Sequence, residues 1–417
     1  MTVSQAGNGI KQKRILEIDF WRGFALIVIV VDHVPRNGLG LLTPRNFGFS
    51  DAAEAFFFLS GASVSLAYAS ALGKGRVRRI VSRCTTRAAQ LYLVHIALSL
   101  CSIAIPLAAA KAVGDEGVAL EQGLSWFLSS PISSLVGVVT LRYLPNFSNI
   151  LPLYVLLMLW APVVLLLAWR SRVLAFVASA GVYAAGRGNF EFKFDGWWFN
   201  PLAWQLVFVL GVICALTWRD GLPRPKRGLV LLALAIILGA AILSVKATGI
   251  RAAALAHLDL DKSELGIMRL AHFLALAYLL AAVTTIEPWA AHMRRVVGSD
   301  LGQSLQAMGR NSLLFYAVGS VASIGSRSLY FAARSLAVPD LSVHLIGLVY
   351  TIAAIGGMFA LVRLIERTAR PLARSIEIGD AVVAPMSDRT APILQTKDSG
   401  LAPLLAPTVS PTRSPEG

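Results

Sequence analysis

The sequence predicts an all-α, polytopic membrane protein of about ten transmembrane helices with both termini on the cytoplasmic side. Three observations predict it. Charged residues are 15% and hydrophobic residues 56% of the 417, with a mean hydropathy of +0.66, whereas soluble domains carry about 25% charged residues. The apolar residues fall into blocks of roughly twenty, the length that crosses a hydrocarbon core of about 30 Å. The basic residues cluster in short connections between those blocks, which orients a membrane protein rather than marking a nucleic-acid surface.

Taken in order, residues 1–15 form a polar, basic cytoplasmic segment with Lys11, Lys13 and Arg14 before the first span. The first two spans are expected at 20–42 and 51–72, followed by a basic loop of Lys74, Arg76, Arg78, Arg79, Arg83 and Arg87. The third is expected at 88–109, and the connection 110–149 is given a surface helix near 120–135. Further spans are expected at 150–169, 173–187, 201–218, 228–245, 266–286, 312–331 and 343–364. An aromatic loop, 189–200, separates the fifth and sixth. An even number of spans keeps the basic cluster Arg363 to Arg374 on the N-terminal side. The domain boundaries follow: a membrane domain over 16–374 and a Pro-, Ser- and Thr-rich disordered tail over 375–417. The first apolar block lacks a small-residue cleavage site and is read as a retained helix.

Composition also narrows the chemistry. The net charge of +15 is scattered between apolar blocks, so no basic domain exists to hold nucleic acid. Cys84, Cys101 and Cys214 are too few and too dispersed for a disulfide framework. His33, His95, His257, His272, His292 and His344 lack ligand spacing, so neither a metal nor a bound cofactor is expected.

Ionisable residues inside a membrane helix cost about 2.5–3.5 kcal/mol on insertion scales, so each calls for a reason. The first span carries Arg22, Asp32 and His33. Arg22 and His33 lie eleven positions apart, which is about 16 Å along the axis and close to three whole turns, so both share a face. Arg22 could instead snorkel to the headgroups, with His33 at the far end. The second span opens with Asp51 and Glu54, three positions apart at the helix start. They form a candidate capping box, and the short connection also brings them toward His33. A carboxylate beside an imidazole is the usual general-base pair.

A basic residue and a His with ten residues between them, then an acidic residue four before Phe58-Leu59-Ser60-Gly61, resembles the membrane acyltransferase-3 superfamily. Within it, the segments Phe20-Trp21-Arg22-Gly23, Asp32-His33, Arg45 to Glu54, Gln90-Leu91-Tyr92, Leu144-Pro145-Asn146, Phe199-Asn200-Pro201 and Arg269 to Ala275 resemble the OpgC family, over about residues 14–365. The resemblance implies a bacterial inner-membrane, multi-pass enzyme that moves a succinyl group from cytosolic acyl-CoA to osmoregulated periplasmic glucans. It carries over His33 as the catalytic His, Glu54 as the acidic residue before the Phe-x-Leu-Ser-Gly motif, Arg22 as the basic residue of the acyl-CoA side, and Ser60 and Gly61 as the end of the motif. Ala62 and Ser63 depart from the residue types usual there, which leaves acyl selectivity open.

The remaining candidates follow from charge and position. Arg83 and Arg87 could join Arg22 on the phosphates of CoA, whose nucleotide cannot enter hydrocarbon. Asp32 or Glu54 would orient His33 for direct attack by a sugar hydroxyl; the alternative is covalent relay through an acyl-histidine or an acyl-serine, with Ser60 a weak candidate. Arg36 or Arg45 could meet the second carboxylate of a dicarboxylic acyl group, and Asp51 would support the motif. Trp197, Trp198, Asn146 and Asn200 could hold a glycan, or the Trp residues could be an interfacial belt. The expected co-substrate is succinyl-CoA or acetyl-CoA, and the expected partners are acyl-CoA, a glycan acceptor and the lipid bilayer. Two alternatives stay open: an O-acetyltransferase of another cell-surface polysaccharide or small molecule, and a proton-coupled transporter.

Overall fold

The computed structural model describes residues 15–146, 148–187, 197–218, 221–222, 224–244, 255 and 258–382, with side chains to Thr368. Residues 1–14, most of the aromatic loop, Arg219, His257 and the tail beyond 382 lie outside the described residues. The described residues form helices and connections with no strand. A helix stands at each of the ten expected apolar blocks: α1 (Leu16–His33), α2 (Ala52–Gly73), α3 (Val77–Val113), α7 (Ile150–Arg170), α8 (Arg172–Arg187), α9 (Pro201–Thr217), α10 (Arg227–Ser244), α11 (Ile267–Val283), α14 (Ser312–Ser335) and α15 (Asp340–Val382). Between them lie α4 (Gly117–Leu120), α5 (Ser125–Ser129), α6 (Pro131–Val139), α12 (Trp289–Gly298) and α13 (Asp300–Arg310).

Among the described residues, five helices (α2, α3, α7, α10 and α15) are long and apolar enough to cross a membrane, and α9 and α11 are shorter apolar helices. The chain is a membrane protein on this ground. Helix α10 shows what faces the lipid: Leu231, Leu232, Leu238 and Ile242 stay exposed, and only Ala233 and Ala240 are buried. Such a surface is not stable against water.

Three sequence expectations are corrected. The first span ends at His33 rather than near residue 42, because Val34 is extended ahead of Pro35, which disfavours helical backbone in the residue before it. Asn37 then closes the helix end by donating to the carbonyls of Val31 (2.8 Å) and Val34 (2.6 Å). The supposed basic loop is largely helix: Arg78, Arg79, Arg83 and Arg87 lie on α3, which starts eleven residues earlier than expected and runs for 37, as good helix formers allow. The surface helix near 120–135 is instead α5 and α6, separated where Pro131 starts a new helix and holds Ser130 out of helical conformation. Helices α12 and α13 were not expected at all.

The core of the unit that ends at Ile365 is built around α2. Phe57, on α2, is fully buried against Trp204 of α9, ring centroids 5.6 Å apart, and Leu153, Leu157 and Met158 of α7 fill in beside them. Two helix crossings depend on glycine. A Cβ on Gly61 of α2 would run into the carbonyl oxygen of Phe208 on α9, and a Cβ on Gly211 of α9 into that of Phe58 on α2. The same reciprocal contact joins α1 and α13: Gly23 against the Leu305 carbonyl, Gly309 against that of Asp19. Small residues let helices approach this closely where the bilayer supplies no hydrophobic drive.

Gly211→Ala should therefore destabilise the fold by about 1–3 kcal/mol through backbone displacement. Gly239→Ala, on α10 with open space around it, should stay within about 0.5 kcal/mol. Thermal unfolding in detergent separates the two, and equal midpoints would show that α2 and α9 are not held by this contact.

Candidate functional site

At the His33 end of α1, the helix terminus and the turn after it fix two side chains. The Asp32 carboxylate accepts from Thr43 Oγ1 (2.6 Å) and lies 3.4 Å from Arg45 Nε; Arg45 also donates to the main-chain carbonyl of Asp32 (3.0 Å). His33 Nδ1 is 2.6 Å from the carbonyl of Ile29. A carbonyl only accepts, so Nδ1 carries the hydrogen, and in the neutral ring Nε2 is left with its lone pair. His33 Nδ1 is thus held by the backbone of its own helix, whereas the sequence expectation has Asp32 or Glu54 orient the ring. Lys262, Asp51 and Arg45 are among the charges that reach His33.

The start of α2 carries the acidic pair. Asp51 is the N-cap and accepts from Ala53 N (2.9 Å), while Glu54 Oε2 accepts from Asp51 N (2.9 Å), a complete capping box. The other oxygens have a second role. Glu54 Oε1 accepts from Arg269 Nε (2.9 Å) and from its terminal nitrogen (2.6 Å). Asp51 Oδ2 meets Lys262 Nζ at 2.6 Å and Arg269 at 3.3 Å. Glu54 is fully buried, and a buried carboxylate is tolerable only with a cation in direct contact. One residue before Asp51, Ser50 donates to His272 Nδ1 through its backbone N–H (3.3 Å), and its hydroxyl lies 2.8 Å from the same nitrogen. The ring lies against Gly48, where a Cβ would collide with it.

Arg269 stood in the resembling segment without a role, although an Arg opening an apolar helix is itself a signal. Lys262 gave none, since Asp259 to Glu264 reads as an ordinary solvated turn. The fold makes that turn rigid. Asp259 is bridged to Arg187 (2.6 Å), Tyr183 donates to the Leu265 carbonyl (2.9 Å), and Trp204 Nε1 donates to the Lys262 carbonyl (3.0 Å).

The glycan candidates divide. Asn200 caps α9 through Leu202 N (2.9 Å) and donates to Glu264 (2.7 Å), so its side chain is engaged within the fold. Trp197 Nε1 donates to the Leu141 carbonyl (2.7 Å), while the Trp198 side chain is exposed. Asn146 has a left-handed backbone (φ 51°) and its amide reaches the Ser102 carbonyl at 3.4 Å. Of the motif residues, Ser60 is buried with its hydroxyl donating to the Phe56 carbonyl (2.7 Å), and Gly61 forms the α2–α9 crossing.

At the other end of α1 lies a cavity of about 530 Å³. Arg22, Arg83 and Arg87, from α1 and α3, all line it, and α13 adds Arg310. Among the described residues no carboxylate lines it; Ser63, Tyr68, Thr86, Gln90, Tyr154 and Ser312 supply the rest of the polar surface. Arg22 donates to Ser63 Oγ (3.3 Å) and to Ser312 Oγ. The structure thus brings together the three arginines expected to act as a set. Arg310 was missed because α13 is a short amphipathic helix outside the apolar blocks. Four guanidiniums around one cavity suit a polyanion with several phosphates. Among the described residues no group of His, Cys, Asp and Glu could hold a metal ion.

The family model described as OpgC protein matches residues 14–369. No curated protein and no solved structure matches the chain.

Arg269→Met should destabilise the protein by about 3–5 kcal/mol, because Glu54 is left buried without its cation. Adding Glu54→Gln should recover much of that loss. The double-mutant cycle is read from thermal unfolding in detergent, and strictly additive losses would deny the pair its structural role.

Proposed function

The chain belongs to the OpgC protein family, and from that premise we propose that it is a membrane O-acyltransferase, moving a succinyl group from cytosolic acyl-CoA to hydroxyls of a periplasmic glucan. The reading puts it in the acyltransferase-3 superfamily and in the inner membrane, with about ten spans and both termini cytoplasmic. It keeps 16–374 as the membrane domain and 375–417 as a tail. One observation carries it: α1 bears an arginine in a four-arginine cavity at one end and, at the other, a histidine whose Nδ1 is already bonded.

In this mechanism the phosphates of CoA rest against Arg22, Arg83, Arg87 and Arg310. The pantetheine arm, on the order of 20 Å extended, spans the roughly 16 Å rise from Arg22 to His33. A sugar hydroxyl approaches from the periplasm and gives its proton to His33 Nε2 as its oxygen attacks the thioester carbonyl. The tetrahedral intermediate collapses, the carbon–sulfur bond breaks, and the imidazolium returns the proton to the CoA sulfur. An ester and free CoA result, with no net proton change at His33. Direct attack is preferred to an acyl-serine because the Ser60 hydroxyl is turned back onto α2.

The test supplies purified protein in detergent with radiolabelled succinyl-CoA or acetyl-CoA and a glucan acceptor. His33→Ala should lower kcat/KM about a hundredfold or more, and Arg22→Ala should act mainly by raising KM for the donor. Transfer of acetyl alone would replace succinyl with acetyl in this reading. If neither donor reacts, the acyltransferase reading falls and proton-coupled transport takes its place.

A further inference from the structure

Among the described residues, Arg45 pairs with Asp32, the residue before His33, and at the start of α2 Lys262 pairs with Asp51 and Arg269 with Glu54. The charges balance, yet their burial does not. The side chains of Asp32, Asp51 and Glu54 keep only 7%, 14% and 0% of their exposure, and Arg269 keeps 11%. Arg45 and Lys262 keep 50% and 35%. Within these pairs the carboxylates therefore lie beneath and the cations Arg45 and Lys262 reach outward, with the exposed Asp261 next to Lys262 the one outward carboxylate beside it. Arg45 donates to the carbonyl of Asp32, the residue before His33 (3.0 Å), and the charge of Lys262 reaches the ring, which puts both on the His33 side of the site.

Lys262 is also held in place. Its own carbonyl accepts from Trp204 Nε1 (3.0 Å), and the next carbonyl, of Ser263, accepts from Asn200 N (2.9 Å). A lysine on a solvated turn would lose much side-chain freedom on binding; one on a fixed turn with its ammonium already anchored loses less. The ammonium has three donors, and its contact with Asp51 leaves a half-exposed face for a second carboxylate.

We propose that Lys262, with Arg45 beside it, selects acyl groups that carry a second carboxylate by binding that carboxylate next to His33. The proposal rests on the acyl-transfer reading and goes beyond it by assigning donor selectivity to a residue outside the catalytic motif. A four-carbon dicarboxylic acyl group holds its free carboxylate within about 5 Å of the thioester carbon. Only a cation at the mouth of the His33 site can read it there. An acetyl or butyryl group gains nothing from that cation.

The experiment uses the full-length protein in detergent with succinyl-CoA and butyryl-CoA offered separately, first to a neutral glucan and then to a carboxyl-bearing one. Lys262→Met should lower the succinyl-to-butyryl ratio of kcat/KM about tenfold or more on the neutral acceptor, and Lys262→Arg should retain most of it. Equal loss of both donors would reduce Lys262 to a support for Asp51 and overturn the proposal. So would an unchanged ratio, or a loss seen only with the carboxyl-bearing acceptor, which would make the acceptor the source of the anion. A wild-type protein that transfers neither acyl group overturns the acyl-transfer reading itself, whereas a wild type active with both isolates the failure to Lys262.

Discussion

Glu54 sits with no solvent exposure at the start of an apolar helix, and its charge is answered by Arg269 at 2.6 Å. A carboxylate in such a place has few options. Unpaired, it would cost several kcal/mol; paired, it fixes the position of whatever carries the cation. Arg269 opens α11, so the pair ties the entry of α2 to α11. Asp51, bonded to both Arg269 and Lys262, brings the 259–266 turn to the same point. That turn in turn anchors α8 through Arg187 and α9 through Trp204. Four helices converge because one buried charge must be matched.

The same carboxylates carry ordinary local duties. Asp51 and Glu54 close a capping box with one set of oxygens and bind cations with the other. The local and tertiary roles reinforce each other, since the cap sets the direction in which each side chain leaves the helix. His33 shows the complementary economy. Its Nδ1 is bonded within its own helix, so the backbone of α1 fixes which nitrogen carries the hydrogen in the neutral ring.

The helices were legible in the sequence because an apolar block of membrane length rarely forms anything but a helix buried in a bilayer. Arg22, Arg83 and Arg87 were legible as a set because each borders an apolar block on the side expected to face the cytoplasm. The boundary at His33 was readable in principle from Pro35, but the apolar residues beyond it, through Leu42, obscured it. Arg310 and Lys262 were not legible for different reasons. Arg310 ends an amphipathic helix with no apolar block to mark it. Lys262 lies in a turn of alternating charges, and only bonds from Tyr183, Arg187 and Trp204, 58 to 82 positions away in sequence for the tyrosine and tryptophan, make that turn a fixed platform. Asn200 misled in the opposite direction: a polar residue beside Trp197 and Trp198 suggests a sugar site, yet its amide is a helix cap.

Glycine placement accounts for how closely the two ends of α1 are built. Gly23 follows Arg22, and Gly309 precedes Arg310; these are the glycines that let α1 and α13 touch backbone to backbone. A larger residue at either position would push the helices apart and carry the two arginines with them, so the cavity keeps its four cations only while the crossing stays tight. At the other end, Gly48 lets the His272 ring lie against the chain just before Ser50, and Ser50 is bonded to that ring. The next residue is Asp51. In both places a residue without a side chain sits one to three positions from a charged one, and the close approach it permits sets where that charge stands.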